Sequence, residues 1–392
     1  MEAFSSTPPA QDQPDLDDGA PAYSIDELLE IVVEQRASDL HLTAGSAPAI
    51  RVNGKIERLA EFGLLTPERT RKLLYSVSTS EQHKELEERK NIDLSYALPG
   101  LARFRVNIFY QRESLAGAFR LIPSRIKSLQ DLGMPPSLYE LCERPRGLIV
   151  VTGPTGSGKS TTLAALIDRI NESRPDHIIT IEDPIEFLHV HKQCIVNQRE
   201  IGPDALNFGE ALRAALREDP DVILLGEMRD LETIGTALTA AETGHLVFGT
   251  VHTQDAPSAI DRIIDVFPAA QQSQIRVQVA STLQGVMTQN LLPTTDGAAR
   301  VPAVEILLPD DAVRNLIRQG KLEQIYTNMQ TGSSKGMQTM EQALADLVLS
   351  GIVTHEIAMS RSSRPQQLLE LIQRGKTSGQ VVSPLAARLR TA

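Results

Sequence analysis

The chain has 392 residues, of which 41% are hydrophobic and 23% charged, a composition typical of globular proteins and a length sufficient for two domains. The formal net charge of -11 at pH 7 argues against a nucleic-acid backbone as the main partner. The two cysteines, Cys142 and Cys194, are too few for a disulfide framework or a four-cysteine zinc site. We expect a cytoplasmic protein, because this cysteine usage suits a reducing compartment and no apolar stretch approaches the ~20 residues that cross a bilayer.

The N-terminal third of the chain predicts a disordered tail followed by a small α+β domain. Residues 1–22 are rich in proline and aspartate and poor in apolar groups, so burial cannot offset the entropy of ordering them. From residue 23 to residue 123, a helix beginning near Ser24 leads into short strands, and Asn53-Gly54 is a strong hairpin turn. The predicted strands cover residues 39–43, 49–52, 55–58, 92–97, 102–111 and 117–122, and two further helices cover 67–77 and 80–88.

The region from residue 124 to residue 376 predicts a second domain that alternates strands and helices. A helical lead-in at residues 136–142 precedes apolar strands at 148–151, 178–182, 222–226 and 246–250, each separated by a helical stretch. Such alternation predicts a parallel sheet covered by helices on both faces. After Pro257 the apolar spacing is helical almost to Ile372, interrupted by a strand at 300–307, and residues 377–392 read as a loose tail.

A phosphate-binding loop follows the first strand of this second domain. Residues 153–160 read GPTGSGKS, between the strand and a helix over residues 161–170, a context that argues against a chance match to a Gly-rich turn. Lys159 would reach the β- and γ-phosphates of a nucleotide, and the Ser160 hydroxyl would bind Mg²⁺. The expected nucleotide-binding residues are Gly153, Thr155, Gly156, Ser157, Gly158, Lys159, Ser160 and Thr161.

Two carboxylate clusters fall just beyond strand ends, where an open α/β sheet binds its ligands. The first is Glu182 to Glu186, and the second is the apolar run 222–225 that leads into Gly226-Glu227, the form of a Walker B strand. Phosphoryl transfer needs a group that holds a metal and a group that orients or deprotonates the attacking water. Each cluster alone would more often be a solvated strand end, but beside a phosphate loop both predict a catalytic site.

Two histidines surround the next strand. His245 could belong to the catalytic site, or it could equally well have a structural role and only form a hydrogen bond with the backbone. His252 follows the strand beside the Walker B strand and could donate a hydrogen bond to the γ-phosphate and so report its loss.

Four motifs occur in the same order as in the ATPases of the type II/IV secretion superfamily, which this chain resembles. They are the phosphate loop, the acidic box at Glu182 to Glu186, Gly226-Glu227, and the histidine box from Glu242 to His252. Within it the chain is most similar to the ATPases that retract type IV pili, over residues 23–372. The resemblance implies an α/β fold with a RecA-like P-loop ATPase domain and a smaller N-terminal, PAS-like α+β domain. It also implies a hexameric ring that holds nucleotide between domains.

The resemblance also assigns roles to individual residues. Glu186 is similar to the catalytic glutamate, and Glu227 to the Walker B acid that holds Mg²⁺ with Ser160, partly through water. His252 would sense the γ-phosphate. Arg105 and Arg120 would stabilise phosphate charge as arginine fingers. The alternative for these two arginines is a strand edge guarded by charge.

The function implied is a homohexameric motor that uses ATP and Mg²⁺ to retract type IV pili, acting through a platform protein at the cytoplasmic face of the inner membrane. Residues 312–317, AVRNLI, resemble a motif of the retraction ATPases, although core packing explains their apolar spacing equally well. Three alternatives remain: an accessory retraction paralogue, a RecA-like motor that translocates nucleic acid, and a scaffold that does not hydrolyse nucleotide. An accessory paralogue could also be a partner of this chain. Direct nucleic-acid binding is not expected, since aromatic residues make up only 4% of the chain.

Overall fold

The computed structural model describes residues 23–52, 54–122 and 126–378, which divide into two compact units on either side of the gap at 123–125. The predicted tail at 1–22, the end of the chain from 379, the domain boundary at 123 and the first residue of the Asn53-Gly54 turn lie outside the described residues.

The N-terminal unit is an antiparallel sheet with helices packed against it, as the sequence predicted. Its first helix begins after Ser24, whose side chain accepts from the Glu27 N–H while the Glu27 carboxylate accepts from the Ser24 N–H. The core contains Leu28, Phe104 and Phe119, all fully buried. The sheet order is β3-β2-β1-β6-β5-β4. The elements are α1 Ile25–Glu34, β1 Asp39–Thr43, β2 Ala49–Val52, β3 Lys55–Arg58, α2 Pro67–Tyr75, α3 Ser80–Arg89, β4 Asn91–Leu98, β5 Ala102–Gln111 and β6 Ser114–Ile122.

The second unit contains a seven-stranded sheet of order β13-β12-β7-β11-β10-β8-β9, parallel except for the antiparallel pair of β12 and β13. The strands are β7 Gly147–Thr152, β8 His177–Glu182, β9 Ile195–Glu200, β10 Val222–Leu225, β11 Leu246–Val251, β12 Leu283–Pro293 and β13 Arg300–Leu307. The helices are α4 Ser137–Cys142, α5 Lys159–Ser173, α6 Phe208–Ala215, α7 Leu231–Thr243, α8 Ala256–Asp265, α9 Ala269–Thr282, α10 Asp311–Gln319, α11 Ile325–Thr331, α12 Met340–Leu349, α13 His355–Arg361 and α14 Pro365–Ser378.

Helices cover both faces of this sheet, which confirms the predicted arrangement. Along β7, Leu148 and Val150 pack with residues of α6 to α10, whereas Ile149 and Val151 pack with α4 and α5. Successive strand residues point to opposite faces, so a strand buried on both sides must be apolar at every position. The continuous apolar runs of β7, β10 and β11 follow from this double burial.

Two strands of the sheet were missed by the sequence prediction. The interpretation of the region after Pro257 as helical is wrong at β12, an 11-residue strand that pairs with β7 on one side and β13 on the other. Its apolar residues Leu283, Val286, Met287 and Leu291 happen to follow helical spacing, which periodicity cannot separate from a buried strand. The edge strand β9 lies between β8 and β10 in sequence, in a stretch predicted to be helical, and is mostly polar.

Candidate active site

The loop at residues 153–160, called the phosphate loop below, joins the carboxyl end of β7 to the start of α5. Gly158 precedes the helix with φ of +90°, a left-handed conformation that favours glycine, and no side chain caps the helix. The N–H groups in the first turn of α5 therefore face the loop without a capping side chain. Free helix N-terminal N–H groups and the helix dipole together favour a bound anion.

Strand β12 contacts both the phosphate loop and α5. The buried Gln289 accepts a hydrogen bond from the Thr162 hydroxyl of α5 at 2.8 Å. At Gly153 the φ is +138°, and a Cβ atom there would lie 2.3 Å from the Gln289 carbonyl oxygen. The loop can lie this close to β12 only because residue 153 is glycine.

Lys159 is folded over the phosphate loop. Its Nζ donates hydrogen bonds to the carbonyl oxygens of Gly153 at 2.9 Å and Pro154 at 3.1 Å. Burial lowers the pKa of Lys159, while the Glu227 and Glu186 carboxylates act in the opposite direction. A phosphate group bound here would compensate the partly desolvated ammonium with opposite charge.

A cavity of about 480 Å³ opens above the loop, at the edge where β7, β8, β10 and β11 end. The predicted catalytic residues Glu186, Glu227 and His252 all line it. The lining also includes the phosphate-loop residues Thr155, Gly156, Gly158, Lys159, Ser160 and Thr161. The two remaining predicted loop residues, Gly153 and Ser157, are buried.

The carboxylate of Glu227, just beyond the end of β10, contacts two side chains, His252 and Arg229. His252 Nε2 lies 3.2 Å from its Oε1, and Arg229 forms an ion pair with the same carboxylate. Burial alone would raise the pKa of Glu227, but Arg229 and His252 outweigh it, and the pKa is lowered. Glu227 is therefore an ionised carboxylate at neutral pH, which is the form that binds a metal.

The acidic box contains a half-buried and an exposed carboxylate. Glu182 accepts hydrogen bonds from the Thr180 hydroxyl at 2.6 Å and from Gln198 Nε2 at 3.2 Å, and burial raises its pKa. Glu186 is exposed at the cavity, and its backbone N–H lies 3.5 Å from the Glu182 carboxylate. Glu182 stabilises the turn, which leaves the Glu186 carboxylate accessible to a water in the cavity.

The two histidines also differ in their surroundings: one contacts the backbone and the other contacts the cavity. His245 Nδ1 lies 3.0 Å from the Ala240 carbonyl oxygen, so this side chain makes the backbone contact that was one of its two expected roles. His252 contacts the cavity carboxylate Glu227.

Comparison with known proteins places the chain in a family. Residues 15–379 match the family model described as "Type II/IV secretion system protein". The chain belongs to that family. It is 50% identical over 342 residues to the type IV pilus retractation ATPase PilT of Pseudomonas aeruginosa, covering 87% of this chain and 99% of that protein.

Within the family, the similar proteins include ATPases of type IV pili. A crystal structure of the pilus retraction motor PilT with bound ADP has a TM-score of 0.84 and 53% identity, covering 89% of this chain and all of that one. The type IV pilus ATPase PilU of Pseudomonas aeruginosa is 39% identical over 353 residues, covering 90% of this chain and 92% of that protein. The chain is an ATPase of the retraction group with the two-domain α/β fold of that group.

No helix in the described parts of the chain combines the length and the apolar character needed to span a membrane.

The two predicted arginine fingers lie in the N-terminal unit, on neighbouring strands. Arg105 on β5 and Arg120 on β6 are direct cross-strand partners and therefore share one face of the sheet. Arg120 Nε lies 2.9 Å from Asp39 Oδ1, and Arg51 Nε lies 3.6 Å from Asp39 Oδ2. Arg105 lies 3.8 Å from Asp93, and the side chains of Arg105 and Arg120 are 50% and 74% exposed.

Sequence reasoning missed several residues that line the cavity or support the phosphate loop. Arg229 had a signal, because it stands two residues after the Walker B acid. Gln289 had none, since it lies 127 positions from its partner Thr162 in a stretch with helical spacing. His189 and Arg300 also line the cavity, and neither belongs to a recognised motif.

Proposed function

We propose that this chain is a subunit of a homohexameric, Mg²⁺-dependent ATPase motor that powers retraction of type IV pili. The observation that carries the proposal is the convergence of Lys159, Glu186 and Glu227 on one cavity at the carboxyl edge of a parallel sheet. The 50% identity to a retraction ATPase, against 39% to the accessory type, favours the main retraction enzyme.

In this mechanism the phosphate loop binds the triphosphate. Lys159 neutralises the β- and γ-phosphates, and the N–H groups at the start of α5 donate to phosphate oxygens. The Ser160 hydroxyl and the ionised Glu227 carboxylate supply the oxygen ligands that Mg²⁺ prefers, and both line the cavity. When bound, Mg²⁺ would neutralise charge that develops on the phosphates during transfer.

Glu186 acts as the general base. Its exposed carboxylate orients the attacking water and accepts a proton from it. Glu182 is half-buried and its carboxylate already accepts hydrogen bonds from Thr180 and Gln198, so it is less available to the attacking water than Glu186. His252, beside Glu227, donates to the γ-phosphate and loses this contact after hydrolysis.

Arg105 and Arg120 supply further positive charge in the assembled ring. Two like charges directly opposite each other destabilise a sheet. Their alignment on an exposed face is therefore better explained by a shared anionic ligand than by the stability of the strands. We assign that ligand as the nucleotide's phosphates.

We further propose that the ring acts at the cytoplasmic face of the inner membrane, through a platform protein of the pilus machinery. We propose a paralogous ATPase of the PilU type as a second partner.

The test is Mg²⁺-dependent ATP hydrolysis measured as a function of protein concentration. Turnover per subunit should rise as the ring assembles, and single-stranded or duplex DNA should not change it. Lys159→Ala should bring hydrolysis to background. Stimulation by DNA would favour a nucleic-acid motor instead, and an absence of turnover at every concentration would favour a nucleotide-binding scaffold.

A further inference from the structure

Residues 183–190, called the acidic-box loop below, carry Glu186 between β8 and β9 and form neither helix nor strand. The position of the Glu186 carboxylate therefore depends on what holds the backbone on each side of it. A catalytic group must stay close to its productive position, since a displacement of about 1 Å can cost roughly a hundredfold in rate. The side chains that hold this loop are consequently candidates for positioning the base.

Gln198 on β9 uses both ends of its amide to hold the acidic-box loop. Its Nε2 donates to the Phe187 carbonyl oxygen at 2.8 Å, and its Oε1 accepts from the His189 N–H at 2.8 Å. The same Nε2 donates to Glu182 Oε1 at 3.2 Å. A donating and an accepting group are both required here, so an amide satisfies the arrangement and a carboxylate does not.

Glu200, two positions further along β9, holds the other side of Glu186. The Ile185 N–H donates to Glu200 Oε2 at 3.2 Å, and the Glu200 side chain is buried. Side chains two positions apart on a strand point to the same face, so those of Gln198 and Glu200 both reach the loop. The residues just before and just after Glu186 are thereby each bonded to β9.

Strand pairing fixes where these two side chains lie. β9 pairs in parallel with β8, and Gln198 is aligned with Thr180 while Glu200 is aligned with Glu182. The Thr180 hydroxyl donates at 2.6 Å to the same Glu182 oxygen that accepts from Gln198. This shared oxygen orients the Gln198 amide. The anchors of the loop therefore belong to the sheet, which holds a functional group more precisely than a loop does.

We propose that Gln198 is the positioning residue for the general base, holding the backbone at residue 187 so that the Glu186 carboxylate points at the attacking water. The inference rests on the proposed function, because Gln198 affects catalysis only if Glu186 is the base. Gln198 does not line the cavity, so its effect on turnover must pass through the acidic-box loop.

The competing explanation is that Gln198 only stabilises the fold of β9. A purely structural role would weaken nucleotide binding and turnover together, because both depend on the same sheet edge. A positioning role lowers turnover and leaves binding at the phosphate loop unchanged. The two roles are therefore separated by measuring both quantities in the same variants.

The test measures kcat, KM for Mg·ATP and ADP affinity in variants of the full chain. Gln198→Ala should lower kcat about 10- to 100-fold and change KM and ADP affinity by less than about threefold, because the phosphate loop is intact. Gln198→Glu keeps the size of the side chain but removes both donated hydrogen bonds, and it should lose at least as much turnover.

Asn197→Ala is the matched control. Asn197 is the adjacent residue of β9, points to the opposite face and lies 2.9 Å from His177 Nε2 through its Nδ2. The variant removes a polar side chain from the same strand without touching the acidic-box loop. Its kcat should equal that of the wild type.

A double variant shows whether Gln198 acts through Glu186. In a Glu186→Gln background, Gln198→Ala should lower the residual single-turnover rate by less than about twofold, because no base is left to position. A residue that supports only the fold would lower the rate by the same factor in both backgrounds.

Several outcomes would overturn the positioning role. They are an unchanged kcat in Gln198→Ala, parallel losses of kcat and ADP affinity, full turnover in Gln198→Glu, an equal loss in Asn197→Ala, and the same loss in the Glu186→Gln background. Failure of the proposed function is distinguishable, because Glu186→Gln would then hydrolyse ATP at the wild-type rate. A slow Glu186→Gln variant beside a fully active Gln198→Ala variant would contradict the positioning role alone.

Discussion

The phosphate loop and the arginine pair show two different ways of placing positive charge in one chain. Lys159 is half-buried, bonded to the loop carbonyls and balanced by Glu186 and Glu227 within its own unit. Arg105 and Arg120 stand opposite each other on an exposed sheet face, with carboxylate contacts at the outer side of each. The phosphate loop with Lys159 can bind an anion by itself. The pair of Arg105 and Arg120 brings two positive charges together, and the carboxylates of the N-terminal unit balance them only partly.

The difference implies a division of labour. Lys159 should determine whether nucleotide binds at all, since the loop and its cation form one site. Arg105 and Arg120 should matter when charge develops on the transferred phosphate, because an arginine finger stabilises the transition state more than the bound nucleotide. Binding and turnover are therefore the two quantities that separate the groups.

The largest effect that would sharpen this comparison comes from the arginine pair. Arg105→Ala and Arg120→Ala should each lower turnover of the assembled protein at least about tenfold, since the two share the role of a finger. ADP binding by the phosphate loop should change little. Steady-state hydrolysis and ADP titration on the same preparations measure the two quantities.

Arg51→Ala is the matched control, because Arg51 also contacts Asp39 and lies on the same face. It should leave turnover within about threefold of wild type, because Arg51 is not an assigned finger and its contact with Asp39 is a long one of 3.6 Å. Parallel losses of turnover and ADP binding in the Arg105 and Arg120 variants would break the comparison, because the arginines would then act on binding or on the fold.

A smaller effect is expected at Asp39, which holds Arg120 in place. Burial alone would raise the pKa of Asp39, but hydrogen bonds from Ser38 and Arg120 outweigh it and the pKa is lowered. The stability that this group contributes is therefore present above its unfolded pKa of about 3.9 and is lost as the pH falls through the folded value. Asp39→Asn should reduce turnover by a few-fold and destabilise the protein by roughly 1 to 3 kcal/mol at pH 7, because it removes the charge from a buried, hydrogen-bonded carboxylate.

Denaturant unfolding followed by circular dichroism checks the stability part, since the chain has no Trp for fluorescence. The difference between wild type and Asp39→Asn should shrink at pH values below about 4. A difference that stays constant with pH would mean that the carboxylate charge does not contribute.

The parts of the molecule that could be predicted from sequence are those specified by local patterns. The fully buried strands β7, β10 and β11 are continuous apolar runs, and the phosphate loop has fixed spacing because each position meets a phosphate or a tight turn. The short N-terminal strands were predicted because turn residues separate them.

What could not be predicted depends on contacts between distant parts of the chain. β12 owes its conformation to β7 and β13 rather than to its own spacing, so its helical periodicity was misleading. The positions of Gln289 beneath the loop and of Leu291 and Arg300 at the cavity follow from that pairing. The alignment of Arg105 with Arg120 likewise requires the register of β5 and β6.

The central claim, that this cavity hydrolyses ATP with Glu186 as the base, is tested most directly by single-turnover hydrolysis in Glu186→Gln at saturating Mg·ATP. The variant keeps the size of the side chain and removes its ability to accept a proton. The rate should fall by about 10² to 10⁴, while ATP affinity on the same sample stays close to wild type. Hydrolysis at the wild-type rate with normal ATP binding would contradict the account and move the base to another residue.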